Sequence, residues 1–182
     1  MKSRSGFFLL GIIFCLVAFA LGGYLYFRFG YAPVATSAAP MPFEKRLAGM
    51  ALHARVQAEA PIDAPIKPDE PNLTAGAKVY VEDCAFCHGL PNQAAAPPAA
   101  KGMFPVPPQL FEDMVTDDPV GQTYWKVSNG IRLTGMPAFS KSLSDTQLWQ
   151  VSLLMANADK LPDQTKAALG QNVAVTPGNV KK

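Results

Sequence analysis

The chain has 182 residues, 49% hydrophobic and 16% charged, a balance that excludes a wholly disordered polymer and allows one domain or two small ones. Sixteen Lys and Arg against fourteen Asp and Glu leave a formal charge of +2, without the basic blocks that nucleic-acid binding demands, so DNA and RNA are excluded as partners. Three cysteines are too few for a disulfide scaffold.

Lys2 and Arg4 precede FFLLGIIFCLVAFALGGYLYF, Phe7 to Phe27, a run without a charge. At about 1.5 Å per residue it matches a hydrocarbon core of roughly 30 Å. Residues 1–6 therefore read as a cytoplasmic N-terminus and 7–27 as a single transmembrane anchor. The alternative is a cleaved signal peptide, for which Ala18-Phe19-Ala20 or Ser37-Ala38-Ala39 supplies small residues, but the apolar run exceeds the usual h-region of about 7 to 15 residues. Only Arg28 follows the span closely, so the charge bias sends everything after it to the far side of the membrane from the N-terminus. Cys15, in mid-span behind bulky Phe14, is expected to pack and nothing more.

Residues 28–71 read as a Pro-rich stalk. Within it Phe43, Leu47, Met50 and Ala54 recur at helical spacing, with Glu44, Lys45, Arg46 and Arg55 on the polar side, which predicts a short amphipathic helix. Pro61, Pro65, Pro68 and Pro71 then favour a semi-rigid extended spacer. Residues 72–162 hold the chemistry, and 163–182, with weak apolar content and no period, read as a loosely ordered tail.

The informative string is Cys84-Ala85-Phe86-Cys87-His88, the C-x-x-C-H signature of covalent c-type haem attachment. Cysteines at i and i+3 share one face of a helical turn, so both thiols can add to the vinyl groups of one porphyrin while the adjoining imidazole reaches its iron. Zinc would need four ligands, and on this side of the membrane His53 alone remains as a non-carboxylate candidate. A dithiol redox centre belongs to a strand-helix-strand pattern that this segment lacks.

The sixth iron ligand is expected to be Met136, in Thr134-Gly135-Met136-Pro137, since Gly and Pro shape an irregular loop able to aim a thioether. Met103, Met114 and Met155 are rivals that read as packing residues, and His53 reads as a surface residue of the stalk helix.

Taken in order, CAFCHG, NGIRLTGMPAF and a last helix beginning SDTQLWQVSLLM resemble a class I cytochrome c of bacterial respiratory chains, over about half of the chain. The resemblance implies an all-α fold of three to five short helices around one haem c, preceded here by the transmembrane helix. It also implies that a proline carbonyl accepts the Nδ1 hydrogen of His88. Pro108, in Pro108-Gln109-Leu110, matches that pattern, with Pro105 and Pro107 competing for the role.

Local signals agree with such helices. Asn72 is expected to cap the first, in which Gly76 offers a close-approach notch. A second is expected from about Asp117 or Asp118 to Asn129-Gly130, with Val120, Tyr124 and Val127 on one stripe. The third opens with a capping box, Ser144 to Gln147, and buries Leu148, Val151 and Met155 beside Trp149.

With His88 and Met136 both bound, the iron has no open position, so electron transfer is expected and catalysis or gas sensing is the weaker alternative. Residues 72–182 carry nine Lys and Arg against nine Asp and Glu, which makes electrostatic steering of partners modest. Arg132 is a candidate partner for a haem propionate. Two settings remain open: a tethered carrier between redox proteins, or a fixed subunit of a membrane respiratory complex.

Overall fold

The computed structural model describes residues 2–93, 95–111 and 118–170, and among the described residues every regular element is helical. They fall into two units, residues 1–45 and 46–182. The first is dominated by α1 (Lys2–Arg28), whose stretch Gly6–Arg28 is long and apolar enough to cross a membrane and has none of its most apolar window buried within the chain. Aromatic residues gather at its C-terminal end, where Tyr26 stacks on Tyr31 with ring centroids 6.3 Å apart. Such rings suit a headgroup boundary. Cys15 is exposed on this helix.

α2 (Glu44–Glu59) leads into the second unit. There follow α3 (Glu70–Val79), α4 (Ala85–His88), α5 (Pro98–Lys101), α6 (Val120–Asn129), α7 (Asp145–Ala156) and α8 (Asp163–Gly170). A π-helical turn, Tyr80–Cys84, joins α3 to α4, and the Ala85 amide reaches back five residues to the Tyr80 carbonyl. Short 3-10 turns occupy Phe139–Lys141 and Ala158–Lys160.

The core lies where α3 packs across α7, with α6 on a second side of α7 and α8 against α3. Ala77, Tyr80, Val127, Leu148, Val151, Leu154 and Met155 form one buried cluster. At the crossing, a Cβ on Gly76 would collide with the Gln150 carbonyl oxygen, so only glycine lets the two backbones approach. The Tyr124 ring stacks on Trp149 at 4.0 Å, which fastens α6 to α7.

The first helix is capped by Asp69, whose carboxylate accepts the Asn72 amide at 3.0 Å, and not by Asn72 itself. Pro71 explains the difference. It has no amide hydrogen to give and fits the first turn, so the helix begins ahead of it. Asn72 instead accepts a hydrogen bond from Gln150 and donates one to the Lys67 carbonyl. α6 opens at Val120 behind Pro119 and ends at Gly130, whose φ of +67° terminates it. Asp117 lies outside the described residues.

The capping box of α7 is complete: the Ser144 hydroxyl accepts the Gln147 amide, and the Gln147 side chain accepts the Ser144 amide at 3.0 Å. Ser144→Ala is expected to cost about 1 kcal/mol in urea unfolding of the haem-loaded protein, the usual magnitude for a lost N-cap.

Two segments differ from their sequence expectations. Residues 163–170 form α8, in which Thr165 and Leu169 are buried and the Thr165 hydroxyl lies 2.9 Å from that of Thr74. Two inward side chains one turn apart suffice here because α3 supplies the opposing surface. Residues 171–182 lie outside the described residues. The proline run is not wholly an extended spacer either, for a Cβ on Gly121 would lie 2.7 Å from the Pro61 carbonyl carbon. Pro61 therefore rests on the first turn of α6.

Candidate haem site

Cys84, Cys87 and His88 are brought together by the end of the π-helical turn and the single turn of α4. All three side chains are half-buried. Burial first, then the nearby Asp83 and Cys87, push the Cys84 thiol up to about 12. It is therefore a protonated thiol at neutral pH rather than a ready thiolate. Burial also lowers the His88 pKa, and the backbone hydrogen bond to Pro108 opposes that shift.

His88 Nδ1 lies 2.8 Å from the Pro108 carbonyl oxygen. A carbonyl can only accept, so the ring proton sits on Nδ1 and Nε2 keeps its lone pair. Neither Pro105 nor Pro107 makes this contact. The carbonyl orients the ring and increases the donor strength of Nε2 toward a metal.

Ahead of the cysteines, the buried Tyr80 hydroxyl donates to the Gly89 carbonyl at 2.7 Å, and its ring meets Phe111 edge-on at 5.1 Å. The bond ties the start of the π-helical turn to the residue after His88, so both ends of the attachment turn are fixed. Desolvation holds the Tyr80 pKa far above the usual phenol range, so the hydroxyl remains a donor. The sequence carried no local signal for this contact, since a tyrosine on a helical stripe first reads as core.

Met136 is half-buried and packs against the core cluster. Its loop is held by its own backbone. The Thr134 hydroxyl donates to the Ile131 carbonyl at 2.7 Å and accepts the Met136 amide at 3.1 Å, while the Ile131 amide donates to the Met136 carbonyl at 3.2 Å. A threonine two residues ahead of the backbone group it binds is a recognisable turn signal, and it was available in the sequence.

Met103 packs with its sulfur against Gly135, where a Cβ would lie 2.9 Å from it. Met155 is buried in the core, His53 and Arg132 are exposed, and Met114 lies outside the described residues. No group of three or more His, Cys, Asp or Glu able to hold a metal ion occurs among the described residues.

The donor set suits a haem. Two thiols on one turn can form thioethers, Nε2 of His88 is available to iron, and the Met136 thioether is a soft ligand on a loop held in shape. Leu90, Leu110, Phe111, Phe139 and Leu143 add partly buried apolar surface against the core.

Residues 71–155 match the model of the family described as cytochrome c oxidase, cbb3-type, subunit III. No curated protein matches the chain. A chain of the Kuenenia stuttgartiensis reducing HAO-like protein complex resembles it at 22% identity and a TM-score of 0.44, over 65% of this chain and 50% of that one. The chain thus spans half the length of that structure.

Proposed function

Because residues 71–155 are a c-type cytochrome domain, with the haem-based electron transfer this implies, we propose that the protein is a membrane-tethered carrier of single electrons with one haem bound through Cys84 and Cys87. His88 and Met136 would supply the ligands to its iron. The observation that carries this reading is the His88 ring, committed by Pro108 to present an unprotonated Nε2 on the same turn as two cysteines.

When bound, the haem supplies reversible one-electron chemistry between ferric and ferrous iron. The chain supplies the rest. The cysteines fix the porphyrin covalently, Pro108 holds the His88 ring, and the Thr134 turn delivers the Met136 sulfur. With both residues holding the iron, the Met136 thioether would favour the reduced state and would leave substrate no open position. α1 anchors the carrier, and the basic residues ahead of it favour a cytoplasmic N-terminus with the haem domain on the periplasmic side.

A second setting is favoured by the matching family's description as an oxidase subunit. In it, the chain is a fixed part of a membrane respiratory complex and its redox partner is a neighbouring subunit. Purification in mild detergent separates the two: a carrier elutes alone, a subunit with a larger assembly.

Intact-mass measurement after expression with export and haem maturation tests the cofactor. The polypeptide plus one haem is expected, and Cys84→Ser with Cys87→Ser should return the bare polypeptide. A bare polypeptide from the unaltered chain would refute the reading.

A further inference from the structure

α2 has two unlike faces. On one, Val56 is 2% exposed and Leu52 is half-buried. Near its end, Glu59 pairs with Arg55 at 2.7 Å and accepts a hydrogen bond from Trp125 Nε1 at 3.1 Å. Just beyond, Pro61 rests against Gly121. These contacts fasten the end of α2 to α6 of the c-type domain.

The opposite face is apolar and bare. Leu47 is 62% and Met50 60% exposed, and Ala51, Ala54 and Ala58 share their strip. At about 100° per residue these five fall within an arc of about 100°, opposite Val56. Arg46 and His53 border the strip on one side and Arg55 on the other. Of these, Arg46 enters no ion pair among the described residues and Arg55 pairs with Glu59, while Glu44 stands at the same edge as Arg55 and Lys45 on the Val56 side.

We propose that this face of α2 lies on the lipid surface of the membrane and holds the c-type domain at a set tilt, as a foot rather than a swinging stalk. The inference rests on reading α1 as a membrane anchor. Between Arg28, where α1 ends, and Glu44, where α2 begins, the chain reaches at most about 3.6 Å per residue, so the strip stays within some 60 Å of the bilayer.

Apolar side chains bordered by Arg46, which enters no ion pair among the described residues, and by Arg55 match an interface of acyl chains beneath anionic headgroups. Three or four apolar contacts bind weakly alone. Tethering raises their effective concentration at the surface, so a weak contact is enough.

The test uses the full-length haem-loaded chain, reconstituted in phosphatidylethanolamine and phosphatidylglycerol vesicles and flattened into oriented multilayers. Polarised absorption of the haem band reads the spread of tilts. A single preferred tilt is expected, lost in L47E/M50E and equally in the uncharged L47Q/M50Q. Both positions are exposed, so an unchanged haem spectrum and denaturation midpoint should accompany the loss.

A carbonate wash separates the two layers of the claim. If the chain is stripped, the anchor reading falls and the foot with it. If the chain stays bound but its tilt is random, or both variants keep the wild-type tilt, the foot alone is overturned. A tilt that needs added membrane protein, or that scales with protein-to-lipid ratio, would assign the strip to a protein partner or a second copy and overturn the lipid assignment.

Discussion

Met136→Ala is expected to convert a closed haem into an open one. The ferrous variant should bind carbon monoxide stoichiometrically where the parent binds almost none, and the weak sulfur-to-iron band of the ferric spectrum should vanish. The loop argument makes this a clean experiment. Thr134, Ile131 and the Met136 backbone close the turn without the methionine side chain, so truncation removes the sulfur and leaves the turn standing. The reduction potential should fall, because a soft thioether stabilises the ferrous state more than water does. Met103→Ala is the control. Its sulfur is engaged against Gly135, so the variant should stay closed to carbon monoxide. An opened Met103→Ala and an unaltered Met136→Ala would transfer the ligand role to Met103.

Gly76→Ala should be strongly damaging for a single added methyl. Besides the collision with the Gln150 oxygen, the added Cβ would lie 2.6 Å from the Gln150 carbonyl carbon and 3.1 Å from the Val151 nitrogen. All three obstacles are backbone, so no rotamer change relieves them, and α7 cannot retreat without opening the buried cluster around Val151 and Leu154. A loss of about 3 kcal/mol, at the upper end for overpacking, is expected in urea unfolding of the haem-loaded protein. Gly49→Ala in α2, where nothing lies within 4 Å, should instead be neutral or stabilising by about 0.4–1 kcal/mol. Equal effects at the two sites would show that helix propensity, not the crossing, dominates.

How much of this was legible depended on how local the physics is. The string that brings Cys84, Cys87 and His88 together spans five consecutive residues, and the Ser144 capping box closes within one turn, so both arrangements are legible in the sequence. Pro108 is different: it contributes a carbonyl, a group that Pro105 and Pro107 also possess, and only the chain path decides which one faces His88. The Asp69 cap was obscured because Asn72 is an equally good capping residue by type. α8 was obscured because its stability depends on α3, ninety residues away in sequence, through contacts such as Thr74 with Thr165. The rest of Pro61 on Gly121 is likewise a meeting of distant backbones, which no residue type announces.

The π-helical turn before the cysteines imposes a rule about length. Glu82 and Asp83 are exposed, so exchanging them for other residues should disturb the packing little. Removing one residue between Tyr80 and Cys84 is another matter. The five-residue bond from Ala85 to Tyr80 would contract to an ordinary α-helical one, and the helix itself would be no worse for it. Everything downstream would turn by about 100° around the axis, carrying both cysteines and the imidazole off the side on which Pro108 waits. The exposed pair Glu82 and Asp83 should therefore tolerate a change of residue type but not of frame, and related chains should vary freely at these two positions while keeping the same number of residues between the tyrosine and Cys84.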